Sequence, residues 1–116
     1  MKKYLVVGLQ VLLAVFFFVP GVMKLLGNPE LVAVFAGFGY STEFMYFIGV
    51  AEVLGVLGIL IGSWVHPRIP TLAIGGLMII MVGAVYSHLT NGDPFVAAIP
   101  AIVNIVLLAV YCKVKK

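Results

Sequence analysis

What constrains this chain most is the spacing of its long apolar runs. Four stretches, at about residues 4–26, 42–64, 68–90 and 94–112, each reach the roughly 20 residues that a helix needs to cross a bilayer. The segments between them are short and carry the turn formers: Gly27-Asn28-Pro29, Gly37-Phe38-Gly39, His66-Pro67-Arg68 and Asn91-Gly92-Asp93-Pro94. With 116 residues, 64% of them hydrophobic and 9% charged, the chain has no room for a soluble domain beside four spans. The expected fold is all-α: a four-transmembrane-helix bundle forming one domain over residues 1–116.

Local signals sharpen the boundaries. Met1-Lys2-Lys3 before an apolar run resembles a secretory leader, but the run from Tyr4 to Val19 exceeds the usual apolar region of a leader and no Ala-x-Ala-like site follows it. It reads as an uncleaved first span, kinked where Pro20 frees the carbonyl of Phe16 and stopped at Gly27. Asn28-Pro29-Glu30 is a helix start, with Asn28 as the cap and Pro29 in the first position. The apolar residues after it, to about residue 37, are too few to span, so a short helix lies at the outer face between the first two spans. Ser41 or Thr42 caps the second span; Asp93 caps the fourth, with Pro94 at its first position and an interruption at Pro100.

The charges orient the bundle. Lys2, Lys3, Arg68, Lys113, Lys115 and Lys116 share the side of the termini, whereas Lys24 faces Glu30, Glu43 and Asp93 on the other. This positive-inside bias predicts a multi-pass protein of the cell (inner or plasma) membrane with both termini cytoplasmic. Tyr4, Trp64 and Tyr111 mark the inner boundary, and Tyr40 and Tyr86 the outer one. The net charge of +3 therefore serves topology, and no nucleic-acid partner is expected. Cys112 stands alone, which excludes an internal disulfide. His66 and His88 fall on opposite sides of the membrane, so no metal site is expected within one chain. His66 reads as a loop residue without a partner.

Glu52 breaks the pattern. It sits in the middle of the second span, among Gly49, Gly55 and aliphatic residues, where an ionisable group costs several kcal/mol unless it has a partner or a cavity. Counting residues along each span puts Asn104 at nearly the depth of Glu52, with Lys24 and His88 together nearer the outer side. About 10 Å of depth separates Lys24 from Glu52, the combined reach of the two side chains. A direct salt bridge and a water-filled pocket both satisfy that distance. Structural readings stand beside these: Glu52 hydrogen-bonded to Asn104, Lys24 as a snorkelling anchor, His88 as a helix-end residue and Gly58-x-x-x-Gly62 as membrane packing.

Phe18-x-x-Gly21-x-x-Lys24-Leu25, then Ile48-Gly49-x-x-Glu52-x-x-Gly55, then a third span ending in His88, resemble the DoxX and DoxX-like membrane proteins. The likeness covers nearly the whole chain, including the short outer helix and Asp93-Pro94. It implies a four-helix bundle with Lys24 and Glu52 as signature polar positions and His88 as a further one. The namesake resembles the small subunit of a membrane thiosulfate:quinone oxidoreductase; other members are associated with redox-stress complexes, and distant eukaryotic relatives act as cargo receptors or receptor-assembly chaperones. The sequence has neither a cysteine pair nor a pair of haem-ligating histidines, so no intrinsic cofactor is expected and quinone is the implied one.

Three functions follow as expectations. The first is a pocket around Glu52 and Lys24, with Gly21, Gly49, Gly55, His88 and Asn104 contributing, that holds a quinone or lipid or docks a partner subunit or second copy. The second is a proton-coupled exporter, although small multidrug exporters carry their carboxylate in the first span, where this chain has Gln10 and Lys24. The third is a quinone-reducing oxidoreductase subunit, which would need a redox group from elsewhere.

Overall fold

The structure, a computed structural model, describes residues 2–115. Lys116, counted above among the basic residues at the termini, lies outside the described residues. Helix α1 runs Lys2–Leu25, α2 Pro29–Gly37, α3 Thr42–Ile61, α4 Ile69–Thr90 and α5 Ile99–Val114. Short 3-10 turns extend α3 at its end (Gly62–Trp64) and precede α5 (Phe95–Ala98). Four helices are long and apolar enough to cross a membrane, α1, α3 and α4 together with α5 and its 3-10 turn, and α2 is the short helix between the first two.

The turns at the α2 end of the bundle share one device. Gly27, Gly39 and Gly92 have φ of 72°, 87° and 78°, and each follows a helix end. At the first, Asn28 N–H donates to Met23 and Gly27 N–H to Lys24; at the last, Asp93 N–H donates to His88 and Gly92 N–H to Leu89. These bonds satisfy the helix's last carbonyls and turn the chain sharply. Asn28 then caps α2 as expected, its Oδ1 accepting from the N–H groups of Glu30 and Leu31, and Ser41 Oγ caps α3 through Phe44 N–H.

Three local expectations are corrected. Asp93 does not cap the fourth span; its carboxylate is taken by side chains described below, and the span opens as a 3-10 turn. Pro100 does not interrupt that span but stands in the first turn of α5, where its missing N–H would have no intrahelical partner. Tyr111 is buried within the bundle, and its hydroxyl accepts from Gln10 Nε2 at 3.0 Å. His66 has a partner, its Nδ1 accepting from Arg68 N–H at 3.1 Å.

The four long helices form a ring in which α1 packs on α3 and α5, and α4 on α3 and α5. The α3–α4 seam shows how. Gly55 and Gly58 of α3 form a stripe with Gly62 in the 3-10 turn that extends it, and a Cβ at each would meet Leu77, Ala73 and Ile69 of α4 respectively. Residues four apart on α4 thus ride in a groove of glycines, which replaces the hydrophobic drive that lipid-solvated helices lack. Gly58-x-x-x-Gly62 belongs to this packing. The tight core, Leu9, Leu13 and Phe17 with Val56, Ile59, Ile74, Leu77, Leu108 and Tyr111, reaches from the terminal end to mid-bundle. Beyond it, toward α2, the bundle opens.

Candidate functional site

The site starts from a helix crossing. At the α1–α3 seam the two glycines of the sequence motifs meet: a Cβ on Gly49 would lie 2.9 Å from the Gly21 carbonyl oxygen and 3.0 Å from Lys24 Cβ. A Cβ on Gly21 would lie 3.3 Å from Glu52 Cβ. Gly21 therefore faces Glu52 and Gly49 faces Lys24. Each charged side chain packs over the glycine that precedes the other by three residues, which is the physical sense of Gly-x-x-Lys paired with Gly-x-x-Glu in antiparallel helices.

This register brings Lys24 Nζ to 2.7 Å from Glu52 Oε1. Three residues of helix rise make the axial offset only about 4.5 Å, half of what depth counting along separate rods suggested. Direction closes the rest. Side chains lean toward the N-terminus of their own helix, so in antiparallel helices Lys24 points down toward Glu52 while Glu52 points up. Lys24 is not a snorkelling anchor: its side chain is 12% exposed and that of Glu52 2%. Asn104 is not the partner of Glu52 either; its amide turns to Met81 Sδ at 3.6 Å. Gly55 takes the side chain of Leu77 and opens no space beside the carboxylate.

Above the pair lies a cavity of about 470 Å³ between α2, α3 and α4, with Lys24 and Glu52 in its wall. Leu31, Val34, Phe35 and Phe38 line it from the α2 side, Phe44, Phe47 and Ile48 from α3, and Ile79, Ile80, Met81, Gly83 and Ala84 from α4. Phe35, Phe38, Tyr40 and Phe44 form a linked set of rings, with centroids 5.0 to 6.5 Å apart. Sequence reasoning missed this wall, although Phe35/Phe38 and Phe44/Phe47 each stand three apart on one helix face.

His88 is brought to the same cavity, but to its outer end and away from the Lys24–Glu52 contact. Its Nδ1 lies 2.9 Å from Asp93 Oδ2; a carboxylate only accepts, so Nδ1 donates and Nε2 is left as the free ring nitrogen. Asp93 Oδ1 accepts from Asn91 Nδ2 at 2.9 Å. The hydrogen bonds from His88 and Asn91 hold the Asp93 carboxyl below its ordinary value. Phe38 meets the His88 ring edge-on at 5.0 Å. Beside it Ser87 Oγ donates to the Gly83 carbonyl at 2.8 Å, which leaves the Tyr40 hydroxyl as donor to Ser87 at 2.9 Å. These contacts fasten the α2–α3 connection to the end of α4.

The arrangement can hold an apolar body against rings and aliphatic chains while offering it an ammonium and a carboxylate at depth. A bundle of four spanning helices around such a polar pair defines a small multi-pass membrane protein. The chain matches the DoxX-like family over residues 8–110 and belongs to that family. The matched segment contains Gly21, Lys24, Gly49, Glu52 and His88 alike. No curated protein and no solved structure matches the chain.

Proposed function

We propose that this DoxX-like membrane protein binds a small amphipathic molecule, a quinone or a lipid, in the cavity above Lys24 and Glu52, and acts as the membrane-embedded binding subunit of a larger complex. One observation carries the reading: an aromatic-walled cavity of about 470 Å³ that ends on a buried ion pair. Its volume is in the range of small-molecule sites, whose walls are mostly apolar with few polar groups to fix orientation. A quinone carbonyl or lipid headgroup would take a hydrogen bond from Lys24, with Glu52 holding the ammonium in place. The lysine and arginine distribution supports cytoplasmic termini, an orientation that puts the cavity in the outer half of the membrane.

Native mass spectrometry with lipid analysis on protein extracted in mild detergent tests this. Wild type is expected to retain one molecular species that is lost from Lys24→Ala, Glu52→Gln and Ala84→Phe; the last fills the cavity and leaves the ion pair intact. A species retained equally by Ala84→Phe, or no retained species at all, would overturn the proposal.

A further inference from the structure

Building on that reading, we infer that the cavity is loaded sideways from the bilayer, through a window between α3 and α4, and that its occupant is an uncharged, lipid-soluble ring compound bearing a carbonyl or hydroxyl.

The window is marked by two residues that belong to both surfaces. Phe47 and Ile79 line the cavity, yet they are 65% and 74% exposed and stand two helical turns from the exposed Leu54 of α3 and Leu72 of α4, on the outward face of each helix. Phe47 is within the first turns of α3 and Ile79 is at the middle of α4, so the outside they face is lipid rather than water. The cavity therefore reaches the bilayer between the outer boundary and the midplane. Its other end is fastened: Phe38 packs on His88, and Tyr40 bonds Ser87.

Charge sets the class of occupant. The ammonium in the wall already faces the Glu52 carboxylate, and the imidazole at the outer end faces Asp93. Among the described residues that line the cavity, no cation is left without an acidic partner. An anion would lose its hydration here without gaining a counter-charge. A neutral carbonyl or hydroxyl loses far less and still reaches the Lys24 ammonium. The linked rings of Phe35, Phe38, Tyr40 and Phe44 favour a flat ring, which packs offset or edge-on against aromatic faces.

The test uses two photoreactive, alkyne-tagged naphthalene probes with the same decyl tail, one carrying a ring hydroxyl and the other a carboxylate, added to the full chain in lipid nanodiscs. The hydroxyl probe is expected to label cavity peptides about tenfold faster than the carboxylate probe. Ile79→Trp, which plugs the window, should slow that labelling about tenfold, whereas Leu72→Trp, on lipid-facing α4 but outside the cavity, should leave it unchanged. Equal labelling by both probes, or an Ile79→Trp protein that labels like wild type, would overturn this inference and leave a binding cavity standing. Absence of cavity labelling from a protein that still retains a native species would overturn the inference alone. Absence of both would remove the binding site as well.

Discussion

Two acid–base pairs occupy the two ends of one cavity, and they are built in opposite ways. Lys24 and Glu52 are 28 positions apart and meet only because α1 and α3 cross at Gly21 and Gly49. His88 and Asp93 are five positions apart and meet because a glycine turn folds the end of α4 back, placing Asp93 N–H on the His88 carbonyl. The first pair is almost sealed from its surroundings, with side chains 12% and 2% exposed, and the second stands open at 22% and 28%. Similar short contacts therefore differ in consequence. A pair in low dielectric cannot lose one member without stranding a charge, whereas water screens the other.

Removing the lysine draws the contrast most strongly. Lys24→Ala should lower stability in detergent by about 3–5 kcal/mol, the usual cost of stranding one member of a buried pair. Lys24→Met combined with Glu52→Gln should recover most of that loss, because no charge then remains to be desolvated. A double variant as unstable as the single one would show that the two side chains are not coupled.

The crossing itself is the next target. Gly49→Ala would drive a methyl against the Gly21 carbonyl oxygen, backbone that cannot step aside, and against Lys24 Cβ, at a cost of about 1–3 kcal/mol. Gly75→Ala, whose added methyl meets nothing within 4 Å, is the matched control and should be neutral or slightly stabilising in a thermal melt. Equal behaviour of the two would mean that the glycine crossing does not set the distance between the charges.

At the outer end the expected effects shrink. Tyr40→Phe removes one hydroxyl bond to Ser87 and should cost about 0.5–1 kcal/mol, with hydrogen exchange rising in α2 rather than in the core. The contribution of Asp93 is smaller and pH-dependent. Its carboxyl is held below the ordinary value in the fold, so its stabilisation is complete above the unfolded value of about 4 and is lost as pH falls through the lower folded value. Asp93→Asn should therefore leave melting unchanged in its pH dependence above about pH 5 and remove part of the wild-type decline below about pH 4. An unaltered acid decline would show that the Asp93 contacts with His88 and Asn91 do not contribute to stability.

Much of this was legible in advance for a physical reason. Lipid offers the backbone no hydrogen bonds, so long apolar runs have to become helices and their count follows from length. Capping chemistry is equally local, which is why Asn28-Pro29 located α2 and Gly27 the end of α1. Asp93-Pro94 carries the same signal, yet the carboxylate is held by two side-chain donors, His88 and Asn91, and caps no helix N–H. Depth counting put Asn104 level with Glu52 and left a direct Lys24 salt bridge and a water-filled pocket both open, since it orders residues along each helix but says nothing of rotation about it or of register between helices.

The sequence by itself determined the four spans, the short α2 between the first two, the turns that join them and the identity of the one carboxylate that needed a partner. Tertiary structure alone decided that Lys24 is that partner, that Asn104 turns to Met81 and that a ring-lined cavity opens above the pair. The reason is range: helices and caps are set by bonds within a few residues, whereas a contact across 28 positions depends on which faces two helices press together, and here two glycines chose the faces.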